Sequence, residues 1–525
     1  MNTGGASAGG TTDGTADKAS PYAWWVLFVL VLVYVFNFID RQILSILAND
    51  IKRDLKVDDA YLGFLYGTAF GVFYALFGIP LGRLADSWHR VRLLTIGLTL
   101  WSGMTALSGF ARNLGQLTGA RIGVAVGEAT ASPVAYSLLS DYFPKRQRAT
   151  ALAIYSSGLY IGGGVSLLLG ALIVKEWDRA FPSGGPLGLA GWHAAFVLVG
   201  VPGLLLAAIV ATLREPQRGQ ADGLVTPPAA HPFADFLAEL VTVIPPLTLI
   251  GAARRGVRAL AVNLLFAALC AAVALLLIKV TKNIPQWTAF GIGVYAVFSW
   301  ASAIRARDPV TFRLIWGTPA FLQTALGYGL IAFNAYATAF WAAPYAERVL
   351  GASKAEAAFW LGSGGALSGF IGVILGGRLS DSLRKSRADG RILVIFGGGL
   401  LAMPFFVWGF TTDNLPIFYA MNFVSGIFAS AALGPAAATT QDLVLPRMRG
   451  TATATFFLGN ALIGLALGPS LAGIVSDMTR DLRTGILSLL VVAPISAGLL
   501  LLARQTVPRA EATLLDRARA AGEAV

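Results

Sequence analysis

The chain has 525 residues, of which 56% are hydrophobic and only 13% are charged. Soluble domains carry about 25% charged residues, so a water-soluble globule of this length could not cover its surface; 60 glycines without a G-X-Y period and a single cysteine, Cys270, also exclude collagen and a disulfide scaffold. The formal charge of +12 sits in short basic clusters between apolar runs, which points to a polytopic membrane protein rather than a nucleic-acid binder.

Residues 1–20 are Gly, Ser, Thr, Ala and Asp with one lysine, Lys18. They lack the basic start and apolar core of a cleavable signal peptide, so residues 1–22 are expected to form a disordered cytoplasmic tail and the first span to direct insertion. Runs long enough to cross a bilayer, about 20 residues, follow at 24–47, 60–84, 93–110, 114–139, 149–174 and 192–213. After the Pro-containing loop 215–232, an apolar stretch at 233–250 is broken by Pro245 and Pro246 and reads as an interfacial helix. Two further runs, 257–278 and 287–304, precede a second set at 319–343, 357–379, 392–410, 416–440, 451–475 and 486–502. The expected fold is all-α, with bundles of six helices at 23–214 and 319–503, a linker at 215–318 carrying two extra spans, and a cytoplasmic tail at 504–525. An even number of added spans keeps both bundles in one orientation.

Loop charge gives the direction. Arg83, Asp86, Arg90 and Arg92 follow the second span, and Asp141, Lys145, Arg146 and Arg148 follow the fourth. Arg378, Asp381, Arg384, Lys385, Arg387, Asp389 and Arg391 occupy the matching place in the second set, whereas the alternate loops are neutral or acidic. The basic loops and both termini are therefore expected in the cytoplasm. The excess of arginine over lysine suits a bacterial inner membrane.

The two sets repeat one another. Gly82-Arg83-Leu84-Ala85-Asp86-Ser87 recurs as Gly377-Arg378-Leu379-Ser380-Asp381-Ser382 at an offset of 295 residues, and Asp141 with Arg148-Ala149-Thr150-Ala151 recurs as Asp442 with Arg449-Gly450-Thr451-Ala452 at 301. The second copy has thus gained residues between its motifs. Parallel repeats of this kind build transporters, with the substrate site between the halves.

Gly82-Arg83-Leu84-Ala85-Asp86 followed by Arg90 resembles the signature loop of the major facilitator superfamily, and Arg121, Gly127 and Glu128 resemble its second motif. Asn37-Phe38-Ile39-Asp40-Arg41, taken with Arg121 and Glu128-Ala129, is similar to the Spinster branch, which is associated with lysophospholipids and sphingosine phosphate. The resemblance implies a major facilitator fold and an amphipathic lipid as substrate. The signature loop departs from the pattern at Ser87, His89 and Val91, where a basic residue, a glycine and a second basic residue are usual.

Asp40, Arg41, Arg121 and Glu128 fall inside apolar spans, where four charges together cost on the order of 10 kcal/mol. At 1.5 Å per residue Asp40 lies about 24 Å into the first span, and Arg121 and Glu128 about 12 and 22 Å into the fourth, which runs the opposite way. Arg121 and Asp40 are thereby brought to similar depth, with Glu128 two turns along the same face. In the functional reading Asp40 and Glu128 exchange protons, while Arg41 and Arg121 hold a carboxylate or a phosphate in the fork that arginine favours; the alternative is a pair of buried structural ion pairs. Asp86 with Arg90, and Asp381 with Arg384, are expected as gate elements beside Gly82, Arg83, Gly377 and Arg378, the alternative being a solvated loop. Asn334, Tyr336 and Asn460 either line the cavity or make helix–helix hydrogen bonds. The glycine runs at 162–164 and 362–365 read as close helix packing.

No P-loop, metal-ligand cluster or nucleophile elbow occurs in the sequence, so no cofactor and no enzymatic activity are expected. The leading expectation is a monomeric, proton-coupled lipid transporter. A drug or organic-anion exporter and a non-transporting sensor on the same fold are the alternatives, and an intramembrane lipid enzyme lacks its catalytic groups.

Overall fold

A computed structural model describes residues 19–222 and 230–523; most of the expected N-terminal tail and part of the linker loop lie outside the described residues. The helices of the first bundle are α1 (Pro21–Leu55), α2 (Asp59–Ser87), α3 (Arg90–Ser108), α4 (Leu114–Tyr142), α5 (Lys145–Ala180) and α6 (Gly191–Ala211). The linker forms α7 (Pro232–Val243), α8 (Leu247–Arg254), α9 (Val257–Thr281), α10 (Ile284–Arg307) and α11 (Pro309–Ile315). The second bundle is α12 (Pro319–Arg348), α13 (Lys354–Ser386), α14 (Gly390–Thr411), α15 (Leu415–Asp442), α16 (Pro446–Thr479) and α17 (Leu482–Ala512), and a short α18 (Leu514–Ala520) ends the chain.

Twelve of these helices among the described residues are long and apolar enough to cross a membrane. The expected spans α3 and α12 are less apolar but pack inside the bundles, α3 between α4 and α6 and α12 between α16 and α17. Their polarity has a local cause: α3 opens with Arg90 and Arg92, and α12 carries Gln323, Asn334 and Tyr336.

Helix starts follow capping rules. Ser20 accepts from the Ala23 amide with Pro21 in the first turn, and Asn113, Ser353 and Asn414 cap α4, α13 and α15 in the same way. The long helices are not all continuous. α2 breaks at Gly67, α4 at Ala129–Thr130, and α16 widens into a π-helix at Asn460–Leu467, a feature that gathers at functional sites.

The stretch read as interfacial forms two short helices that rest by one side on the bundles and leave Phe233, Leu237 and Ile250 exposed. α7 and α8 meet at 99°, and Val243 at the bend packs with Val72 of α2, Ala296 of α10 and Leu462 of α16. Proline removes a helix-continuing N–H at the bend. Glu239 of α7 is paired by Arg307, Oε1 to Nη1 at 2.5 Å.

α10 lies across the seam between the bundles. Gly293 sits so close that a Cβ there would stand 3.0 Å from Leu462 and 3.2 Å from Val72. The buried Gln286 amide oxygen is 2.7 Å from the Thr68 hydroxyl, which is 2.6 Å from the Ala466 carbonyl oxygen and 3.1 Å from the Ser470 hydroxyl. Gln286→Leu removes one of three polar contacts of the Thr68 hydroxyl at this seam, and we expect a loss of about 0.5–1.5 kcal/mol in unfolding free energy, read by thermal denaturation in detergent. An unchanged midpoint would contradict it.

The C-terminal segment is tied down by charge. Arg447 donates to Glu523 from Nε and Nη2 at 2.7 and 2.5 Å and to Asp308 from Nη1 at 2.8 Å. Partial burial opposes ionisation of Asp308, but Arg447 and the Thr311 hydrogen bonds outweigh it and hold the carboxyl down to about 2. The Arg447 hydrogen bond similarly holds Glu523 below the usual carboxylate range. A depressed carboxyl contributes above its unfolded value and loses its contribution as pH falls through the folded one. Docking of this segment rests on Glu523 and is therefore expected to hold at neutral pH and to weaken as the solution is acidified below the usual carboxylate range, while Arg447→Gln loosens it at neutral pH. Tryptic cleavage after Arg517 is the readout; equal rates in the variant and the original chain would contradict the assignment.

Candidate functional site

The charged residues singled out from the sequence meet in the first bundle. Asn37, Asp40 and Arg41 share one face of α1 by their i, i+3, i+4 spacing, and all are buried. Arg121 and Glu128 lie on α4, fully buried, two turns apart. Arg41 Nη2 donates to Glu128 Oε2 at 3.0 Å, and Arg121 Nη1 donates to the backbone carbonyl of Asp40 at 2.9 Å. The depth argument placed Arg121 beside Asp40; the structure makes that contact through the main chain.

Three rings enclose Arg41, with centroids of Phe70, Phe38 and Tyr74 at 4.3, 4.9 and 5.1 Å from its guanidinium carbon. Phe70 also faces Arg121, at 5.7 Å. Cation–π attraction supports each guanidinium without neutralising it. Both carboxylate oxygens of Asp40, one oxygen of Glu128 and two nitrogens of Arg121 have no hydrogen-bond partner. The cluster thus keeps both donor and acceptor capacity beyond the Arg41–Glu128 pair.

Between the bundles lies a cavity of about 340 Å³. The first bundle presents Arg41, Gln42 and Tyr66 to it. The second presents Asn334 and Tyr336, then an apolar and aromatic surface that includes Trp360, Met403, Phe406 and Phe423. Asp40, Arg121 and Glu128 stand behind Arg41 rather than on the wall. Asn460 is also off the wall, in the π-helix, with its Nδ2 3.4 Å from the Tyr336 hydroxyl. Gln42, Tyr66 and Asn422 line the cavity without having been singled out from the sequence.

The internal repeat explains the contrast of the walls. At an offset of 295 residues Asp40 and Arg41 correspond to Ala335 and Tyr336, and at 301 Arg121 and Glu128 correspond to Asn422 and Ala429. All four counterparts line the cavity, so one half supplies the charge and the other faces it with neutral groups.

Polar contacts joining the bundles gather at the face opposite the two Gly-Arg-Leu loops. Arg348 Nη1 grips Asp59 at 2.7 and 2.9 Å and also bonds Asn49 through Nε. Lys354 Nζ lies 2.7 Å from Asp50 Oδ2 and donates to the Ile46 carbonyl at 2.8 Å. The Ser45 hydroxyl donates to the Phe340 carbonyl at 2.6 Å, and Asp477 accepts from the amides of Asp59 and Ala60 at 3.1 and 2.6 Å. Below this layer Gly164 and Gly362 bring α5 and α13 together, each so near that a Cβ would meet the other's carbonyl oxygen, at 2.6 and 2.7 Å. Gly162, Gly164 and Gly362 serve close packing, as read from the sequence, whereas Gly163 and Gly365 border open space and line the cavity.

At the loop face Arg83, Asp86, Arg378 and Asp381 are exposed, and Gly82 and Gly377 border open space. The expected partnerships differ from those in the structure. Arg90 is fully buried and pairs with Asp141 of its own bundle, at 2.5 Å, and with Glu215 at the start of the linker, at 2.7 Å. Arg384 pairs with Glu511 at 3.0 Å and with Asp442 at 3.4 Å. The repeat equivalent of Arg90–Asp141 is Arg391–Asp442, each pair 51 residues apart. The residues gained by the second copy fall before Arg391, so the equivalent of Arg90 lies beyond Arg384, the arginine that stands near the second signature loop. None of these pairs links the two bundles.

The Major Facilitator Superfamily model matches residues 30–469 and 324–521. An MFS-type efflux pump of Mycolicibacterium smegmatis is 27% identical over 89% of this chain and 87% of its own length. Protein spinster homolog 1 of Homo sapiens is 26% identical over 86% of this chain and 73% of its own. Among solved structures, a bacterial homolog of the human lysosomal transporter Spinster in an inward-facing, unoccupied conformation has 27% identity, covers 96% of each chain and superposes with a TM-score of 0.65.

Proposed function

The chain belongs to the Major Facilitator Superfamily, and on that premise we propose that it carries an anionic amphipathic lipid, such as a lysophospholipid or a sphingosine phosphate, across a bacterial inner membrane by proton-coupled alternating access. The observation that carries the reading is the cavity's lining: the Arg41 guanidinium is its one charged group among the described residues, set among neutral polar groups and an apolar, aromatic surface supplied by both bundles. A phosphate needs the guanidinium and an acyl chain the apolar surface.

Arg41 is the switch in this scheme. With its carboxylate partner Glu128 at 3.0 Å, the guanidinium is neutralised. A proton on Glu128 releases Arg41 to take the phosphate, and Arg121 and Asp40 form the reserve pair behind it. Phosphate arrival and protonation are thus the same exchange seen from two sides, which couples substrate to proton. With the basic loops in the cytoplasm, the contacts among Asp59, Arg348 and Lys354 close the outer face and the cavity opens inward. Asn334 and Tyr336 bind from the second half, and Asn460 positions Tyr336.

The similarity to the Mycolicibacterium smegmatis efflux pump favours a second reading, export of drugs or organic anions through the same cavity. Lysophospholipid flux into proteoliposomes under an imposed proton gradient separates the two. We expect saturable flux that Asp40→Asn and Glu128→Gln each reduce to background. Flux unchanged in both variants would refute the coupling residues; no lipid flux with saturable export of an organic anion would transfer the assignment to the second reading.

A further inference from the structure

The linker helices hold polar groups that transport does not use. α9 is apolar almost all round: Asn263 is its one buried residue, while Leu265 and Leu275 are largely exposed. A helix of this kind faces acyl chains. Yet where α8, α9 and α10 meet, Thr248, Asn263 and Ser299 are fully buried.

Thr248 donates from Oγ1 to the Tyr295 hydroxyl at 3.1 Å, and Ser299 follows Tyr295 one turn along the same face of α10. The Ser299 hydroxyl and the Asn263 carboxamide oxygen have no partner. Nor do Nε and Nη2 of Arg255, which are shielded from solvent at the joint between α8 and α9. Burial pushes the Arg255 guanidinium down from its usual value, and Tyr295 opposes the shift. Gly256, with φ of 110°, turns the chain at this joint as only glycine does readily, leaving Arg254 and Arg258 exposed on either side. From 247 to 263 the chain carries three arginines and no acidic residue.

Two buried guanidinium donors without acceptors are costly, and a phosphate oxyanion fits them in the fork geometry. We propose that the joint of α8 and α9 binds an anionic phospholipid of the surrounding bilayer, its phosphate held by Arg255, its charge met by Arg254 and Arg258, and its acyl chains laid along α9. Basic pockets between spanning helices suit acidic headgroups, and exposed arginines add attraction for net negative charge. The apolar face of α9 selects a lipid over free phosphate. This site lies outside the central cavity, so its occupant is a resident lipid rather than the cargo.

The test is retention of lipid by the full-length protein in mild detergent, read by native mass spectrometry, with phosphatidylglycerol, phosphatidylcholine of the same chains, or inorganic phosphate added. We expect retention of phosphatidylglycerol over both others, weakened about fivefold by Arg255→Gln and again by Arg254→Gln with Arg258→Gln. Arg255→Lys, which keeps the charge without the fork, should fall between. Equal retention of the two lipids, or unchanged affinity in Arg255→Gln, would overturn the proposal; binding of inorganic phosphate alone would replace it with a soluble-anion site. Should Arg255→Gln fail to fold, the headgroup comparison in the original chain and the Arg254 and Arg258 variants decide alone.

Discussion

Arg41→Met is expected to lower the stability of the folded protein by about 3–5 kcal/mol, because it leaves the fully buried Glu128 without its ion-pair partner. The methionine fills the space among Phe38, Phe70 and Tyr74 but supplies no charge. Adding Glu128→Gln to the same chain should return at least half of the loss, since a neutral amide is cheaper to bury than an unpaired carboxylate. Chemical denaturation of the single variants and the double variant measures this. Equal losses in Arg41→Met and the double variant would show that ring packing, not the ion pair, sets the energy. Lipid flux should be lost in both, because recovery of stability does not restore the guanidinium.

Breaking the closed face should move the conformational equilibrium. Arg348→Gln removes a two-pronged bond to Asp59, and Lys354→Gln removes the contact with Asp50. Both cations are partly exposed, so each contact is worth about 1–2 kcal/mol rather than a buried pair's full value. That amounts to about 5–30-fold in a two-state ratio for each, and the two should nearly multiply because they use different acids. Ser45, buried within the layer, is the reporter: as Ser45→Cys in a Cys270→Ser background, itself lacking the Ser45 bond, it should react with an impermeant maleimide at least tenfold faster when both cations are also replaced. Unchanged labelling would mean that helix packing at Gly164 and Gly362 holds the face shut without the charges.

Much of the fold is written locally. A spanning helix is a run of side chains long enough to cross the bilayer, so the spans are legible even where α3 loses apolarity to arginines and α12 to Gln323 and the cavity-lining Asn334. The charge cluster is legible for a related reason. Asp40, Arg41, Arg121 and Glu128 are conspicuous where an apolar residue would cost less, and helix geometry fixes their depth. The glycine runs likewise announce close helix contact.

Partnership was not legible. The sequence pairs Arg384 with the signature loop by position, whereas an insertion of a few residues gives the repeat role to Arg391. Arg90 could have been matched with any acid of its loop, and it takes Asp141 together with Glu215 from beyond α6. Asn460 and Tyr336 are both polar residues in spans; only the packing of α16 on α12 puts one on the cavity wall and the other behind it. The seat of Val243, at the bend of α7 and α8, depends on contacts with α2, α10 and α16 that no local pattern encodes.

The sequence by itself determined the class of molecule, its helices, its duplication and the four charges committed to the interior, because hydrophobicity and helical spacing act over a few neighbouring residues. The tertiary structure alone decided that the cavity's charge comes from the first bundle while the second faces it with neutral groups, and which face is closed. Those choices rest on pairs such as Arg348 with Asp59, 289 residues apart, whose meeting is set by how two bundles dock.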